Sequence, residues 1–230
     1  MSTDKKTEKV EEKLQNVEHS LSQAEFFIEK NQKIIYYVVI GLVALVLGYW
    51  MMKTYYFEPA EVKSEEVSFR AQIYFEKDSF KLALNGDGLN PGFSEIASKY
   101  SSTKIGNTAN YYAGICHLHL GNFQKAIDYL KDFSTDDEII GAIATGAIGD
   151  AYLELGNKEK ALSYYEDASK GTNEFTAPTY LFKLGLLQEE MGKNKEALES
   201  YTTIKENFKK SAEYTTIDKY ITRAGLALQK

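Results

Sequence analysis

The sequence predicts an all-α protein: a single N-terminal transmembrane helix followed by a solenoid of helical hairpins. Three observations carry this reading. One is an uncharged run over 34–52, and another is a glycine and alanine pattern that returns every 35 or 36 residues between Gly114 and Ala197. A third is the scarcity of helix breakers, with 3 prolines in 230 residues, since proline removes a backbone donor and kinks a helix interior. A net charge of -6 speaks against a general nucleic-acid binder. One cysteine, Cys116, and three histidines, His19, His117 and His119, leave little material for a metal centre. No metal, no cofactor and no enzymatic activity are expected.

Taken in order, residues 1–33 form a charged helical arm with 6 Lys and 7 Asp or Glu. Val10, Leu14, Val17, Leu21, Ala24 and Ile28 alternate in steps of four and three, which places them on one stripe. The stripe is short for a self-sufficient coiled coil. It suits either a helix lying at a membrane surface, aided by Phe26 and Phe27, or a docking helix for a partner.

The span 34–52, IIYYVVIGLVALVLGYWMM, rises about 28 Å as a helix, close to the hydrocarbon thickness of a bilayer. Lys33 and Lys53 bracket it, and Tyr36, Tyr37, Tyr49, Trp50, Tyr55 and Tyr56 lie near its ends, where interfacial aromatics belong. A buried core helix is seldom so free of charge. A cleavable signal fits poorly, because the run starts late and no small-residue cleavage site follows it. The lysines near the two ends do not fix the orientation. A densely charged arm is hard to translocate, so the expected topology keeps the N-terminus in the cytoplasm. Within the span, Gly41, Ala44 and Gly48 form a small-residue stripe of the kind that admits a neighbouring helix backbone.

A joint at 53–66 with Pro59 leads into the repeat domain, 67–230. Its first hairpin, 67–104, is degenerate: Ser68–Leu84 and Phe93–Tyr100 are separated by the turn-rich loop Asn85–Gly92. Three full units follow at about 107–140, 142–176 and 178–210, and the stretch 211–229 reads as a capping helix. Gly114, Gly149 and Gly185 are small where the first helix of each pair meets the second. Gly121, Gly156 and Gly192 stand where a left-handed residue ends that helix. Ala126, Ala161 and Ala197 lie at the close crossing on the second helix, and Leu130, Tyr165 and Tyr201 fill the groove behind it.

At these residues the chain resembles the tetratricopeptide repeat. The Gly–(six residues)–Gly–(four residues)–Ala frame is kept in all three units. The aromatic common early in the first helix is replaced by Asn110, Thr145 and Leu181. The proline that often closes a unit is absent, and Pro178 instead opens the third. A narrower resemblance lies at the anchor: Phe26-Phe27-x-Glu29-Lys30-Asn31, then a span ending Gly48-Tyr49-Trp50, is similar to the start of YfgM-like proteins. That family implies a single-pass bacterial inner-membrane protein with a periplasmic repeat domain. It also implies association with Sec-translocon subunits, periplasmic chaperones or secreted clients. The split first unit resembles envelope repeat proteins of the BamD and CpoB kind.

The remaining chemistry is sparse. Cys116-His117-x-His119 is the only cluster suggesting a metal or a nucleophile, but residues two apart on a helix point in different directions. Cys116 reads as a buried thiol. Asn85–Gly92 lacks the alternating carboxylates of a calcium loop, and Ile96 stands where the bidentate glutamate belongs; it reads as a turn.

The expected partner-binding groove runs along the first helices. It takes Thr108, Tyr111, Ile115 and Leu118 from the first unit, Ile143, Gly146, Asp150 and Leu153 from the second, and Thr179, Phe182, Leu186 and Glu189 from the third. The carboxylate-clamp members of the family need Lys and Asn where Tyr111 and Ile115 stand. Acidic-tail binding is therefore disfavoured, and an extended or helical segment with apolar anchors suits the lining better. The capping helix or neighbouring units would cover some of these positions in the competing reading. Three functions compete: a protein-interaction module beside the Sec translocon, an envelope scaffold for cell-wall or outer-membrane assembly, and an organelle import receptor with the opposite topology.

Overall fold

A computed structural model of the chain describes residues 4–229, with side chains from Phe26 onward. Every regular element among them is helical. The chain divides into two compact units, Met1–Glu58 and Pro59–Lys230.

The first unit is the helix α1, Asp4–Met52, followed by a π-helical turn, Lys53–Phe57. The arm and the span are thus one continuous helix with no break at residue 33. Side chains from Ile34 to Met52 are mostly exposed. None of the residues in its apolar window is buried. The helix is long and apolar enough to cross a membrane. The heptad positions Val10, Leu14, Val17, Leu21 and Ala24 lie outside the described side chains.

The second unit starts at the second residue of α2, Glu58–Glu76. The stretch 53–66, expected as a joint, is therefore helical. Pro59 sits in the first turn of α2, directly after the π-helical turn Lys53–Phe57. The expected helix Ser68–Leu84 is two: α2 ends at Glu76, Asp78 takes a left-handed φ of 55°, and α3 runs Phe80–Asn85. Phe75 welds the break, with its ring edge-on to Phe80, Phe93 and Tyr112. The loop before α4, Phe93–Lys99, is a closed turn. The Asp87 carboxylate accepts from the backbone N–H of Leu89 and Asn90 and from the Tyr74 hydroxyl. Bonds from Asn90 above all hold that carboxyl below its ordinary range.

Three hairpins follow: α5, Lys104–His119, with α6, Phe123–Asp132; α7, Glu138–Glu154, with α8, Lys158–Ala168; and α9, Ala177–Glu190, with α10, Asn194–Asn207. Each first helix ends alike. Gly121, Gly156 and Gly192 have φ of 74°, 76° and 74°. The next residue's N–H reaches back five positions, from Asn122 to His117, Asn157 to Tyr152 and Lys193 to Gln188, the Schellman closure. The pairs then cross at contact distance. A Cβ on Gly114 would stand 2.5 Å from the Leu130 side chain, one on Gly149 2.8 Å from the Tyr165 ring, and one on Gly185 2.4 Å from the Tyr201 ring. Ala126, Ala161 and Ala197 are fully buried at the same crossings.

Side chains near the start of the first helices fasten the loops that follow each unit. Asn107 exchanges two hydrogen bonds with the Ser134 backbone, at 2.7 and 3.0 Å. Glu138 Oε1 accepts from Thr172 N–H and Asn173 Nδ2, and the Thr179 hydroxyl donates to Glu213 Oε1. A 3-10 turn, Glu213–Thr215, leads to α11, Ile217–Ala227, which buries Ile217 and Ala224 in a cluster with Tyr201 and Ile204.

Candidate functional site

The first helices α5, α7 and α9 supply the inner face, and the twelve residues expected there fall into three fates.

Some are structural. Gly146 is buried, and the Tyr180 ring occupies the space its side chain would need. Tyr111 is half-buried against Phe133 and Tyr112, with ring centroids 5.3 and 5.4 Å apart. Ile115 packs on the central cluster. The Thr108 hydroxyl turns back to Lys104 O of its own helix.

Others are occupied by α11. Phe182 meets Tyr220 edge-on at 4.7 Å. Glu189 accepts from Arg223 Nε at 2.9 Å, from Arg223 Nη2 and from the Tyr201 hydroxyl. Burial pushes the Glu189 carboxyl up, but Arg223 and Tyr201 outweigh it and hold it below its ordinary value. The third unit therefore offers less groove than the sequence suggests, because the capping helix lands on it.

The other six are half-buried or exposed, Leu118 and Leu153 also packing on the central cluster, and all but Leu186 line one of two pockets. The first, about 440 Å³, is lined by Leu118, Phe123, Leu153, Asp150, Glu154 and Tyr165, together with His119 and Gly121. The second, about 450 Å³, is lined by Ile139, Ile143, Phe175, Thr176, Thr179 and Tyr180. Between them lies a polar bridge. Asp150 accepts from the Tyr165 hydroxyl at 2.7 Å and from Lys183 Nζ at 2.7 and 2.8 Å. Burial, with Asp150 adding to it, raises the Tyr165 and Tyr180 hydroxyls far above their ordinary value, so both stay protonated donors. Leu186, 37% exposed, completes the open face.

Sequence reasoning missed Ile139, Phe175, Tyr180 and Glu154. Phe175 is 76% exposed and sits in a loop, where helical periodicity has nothing to say. Tyr180 did carry a signal: the equivalent positions are Ala109 and Ala144, so one bulky residue there demands a vacancy, which Gly146 provides.

The Cys116–His119 cluster is divided by the helix. Cys116 is fully buried and burial pushes its thiol up to about 12. His117 stacks on Tyr129 at 5.3 Å with its Nδ1 unpartnered, and His119 stacks on Phe80 at 4.1 Å. Among the described residues no group of three His, Cys, Asp or Glu could hold a metal ion.

Tetratricopeptide repeat models match residues 108–136, 146–170 and 179–211, the three hairpins described above. Two crystal structures of MamA are similar to the chain. One is 19% identical, covering 69% of this chain and 94% of its own, with a TM-score of 0.48. The other is 18% identical, covering 76% and 94%, with a TM-score of 0.50, and shares the fold. No curated protein matches the chain.

Proposed function

We propose that this chain, with tetratricopeptide repeats behind one long apolar helix, is a membrane-anchored protein-interaction module of the bacterial cell envelope. It is held by a single span with the N-terminus cytoplasmic and the repeats periplasmic. There it serves the Sec translocon and the periplasmic chaperone network by binding partner or client segments. The observation that carries the reading is the inner face of α5, α7 and α9, where Leu118 and Leu153 line one pocket and Ile139, Ile143 and Phe175 line another. Pockets of this size each receive one or two side chains of a segment laid along the face. The resemblance of the anchor to YfgM-like proteins supports the compartment and the partners. Gly41, Ala44 and Gly48 serve in this reading as the contact between the span and a partner helix. Co-purification from mild detergent tests it: translocon subunits or periplasmic chaperones are expected. Recovery of outer-membrane or cell-wall assembly subunits instead would favour the scaffold reading.

A further inference from the structure

The charges of the arm are ordered in sevens, as its apolar stripe is. Val10, Leu14, Val17, Leu21, Ala24 and Ile28 fill positions d and a of a heptad in turn, beginning with Val10 at d. On that register Glu11, Glu18 and Glu25 all stand at e, and Lys6 and Lys13 stand at g. A lone helix gains little from this order. Residues four apart are its neighbours. Over 4–33 that spacing sets like charges together five times, at Asp4–Glu8, Lys5–Lys9, Glu8–Glu12, Lys9–Lys13 and Glu25–Glu29, and opposite charges once, at Glu29–Lys33. Between two parallel helices the neighbours are instead g of one and the following e of the other. In that arrangement Lys6 meets Glu11 and Lys13 meets Glu18. Antiparallel helices would set e against e and g against g, glutamate on glutamate and lysine on lysine. The backbone adds a second constraint. α1 runs unbroken from Asp4 to Met52, so a span carries the arm onward along its own axis. Lying flat on the membrane would need a turn near Lys33, and α1 has none.

We propose that the arm pairs, in parallel and in register, with the arm of a second copy of this chain. The seam runs through Leu14, Val17 and Leu21, and Lys6–Glu11 and Lys13–Glu18 pairs between copies set its direction. A stripe this short is marginal for two free helices. The span changes that balance, because it holds copies in one plane and pointing the same way, which raises their effective concentration. The span is uncharged throughout, so it accepts a continued contact without specifying it; the arm supplies the specificity. Asn31 falls at d, one heptad after Ala24. In register two Asn31 amides face each other, whereas a slipped register sets each against an apolar residue. This self-contact is separate from the binding of partners by the repeats, and it holds on whichever side of the membrane the arm lies.

The test is disulfide crosslinking of the full chain in native membranes, in a Cys116→Ala background that leaves no other thiol. Leu14→Cys and Val17→Cys put a thiol on the seam. Glu12→Cys and His19→Cys put one at f, on the far side of the helix. Under a mild oxidant the seam variants should give a band at twice the mass. Their initial rate should exceed that of the f variants about tenfold or more, because only seam positions come within disulfide reach. Lys13→Glu in the Leu14→Cys chain should slow crosslinking about tenfold, since both symmetry-related pairs turn repulsive. Glu18→Lys alone should slow it similarly, and the two exchanges together should restore the rate. Every variant should resist alkaline extraction of the membranes equally, which separates lost pairing from lost insertion. Equal crosslinking from seam and f positions overturns the proposal. So do seam adducts formed only with a different protein, no doubled band from either seam variant, or no rescue by the double exchange.

Discussion

The ring of Tyr180 on α9 fills the place that a side chain on Gly146 of α7 would take: a Cβ there would lie 1.9 Å from Tyr180 Cε1. This is the joint between the second and third units, and it closes the floor beside the Ile143 pocket. Gly146→Ala should lower stability by about 1–3 kcal/mol, the usual cost of overpacking a fixed core. Tyr180→Ala should relieve that added cost in the double variant, so a double-mutant cycle in urea should show strong coupling. Additive effects would mean that the ring moves aside freely.

Docking of α11 should weaken in acid. The Glu189 carboxyl is held below its ordinary 4.5 by Arg223 and Tyr201. Its contribution is therefore complete above about pH 4.5 and is lost as pH falls through the depressed folded value. Between neutral pH and about pH 3 the wild type should lose roughly 1 kcal/mol that Glu189→Gln does not lose, a modest figure because Arg223 is half exposed. Denaturant melts across that range measure the difference.

Cys116 should be silent toward thiol reagents while the chain is folded. Burial both shields the sulfur and holds it as the thiol, and the thiolate is the reactive form. Labelling should appear only with unfolding. Cys116→Ala should cost about 1 kcal/mol for the small cavity and leave partner binding intact.

The small-residue stripe of the span is open in the structure, with nothing within 4 Å of a Cβ built on Gly41 or Gly48. Replacing Ala44 and Gly48 with Leu keeps the helix apolar, so insertion should survive while close approach of another helix is blocked. Loss of translocon co-purification with unchanged membrane retention is the expected result. Protease added outside spheroplasts should digest the repeats of either form; protection until the membrane is breached would reverse the topology.

The repeats were legible because their markers are steric necessities. A glycine at Gly149 or Gly185 is demanded by the ring across from it, and Gly156 by its left-handed turn, so the period survives where other positions drift. The break at Asp78 was not legible, because an aspartate in a left-handed turn looks like any polar residue between two apolar stretches. The groove was half legible. Helical spacing named Leu118, Ile143 and Leu153, which line the pockets. It also named Phe182 and Glu189, because spacing identifies a face without telling what lands on it; that depends on Tyr220 and Arg223 of α11. Phe175 belongs to a loop, where no period exists.

Site-specific photo-crosslinking in intact membranes tests the central claim most directly. A photoreactive residue is placed at Ile143, Leu153 or Leu186 on the inner face, and at the exposed Glu159 or Glu196 on the second helices. Discrete partner adducts from the inner-face positions, and none from Glu159 or Glu196, is the predicted result. Adducts confined to the second helices, or to the arm before residue 34, would contradict it.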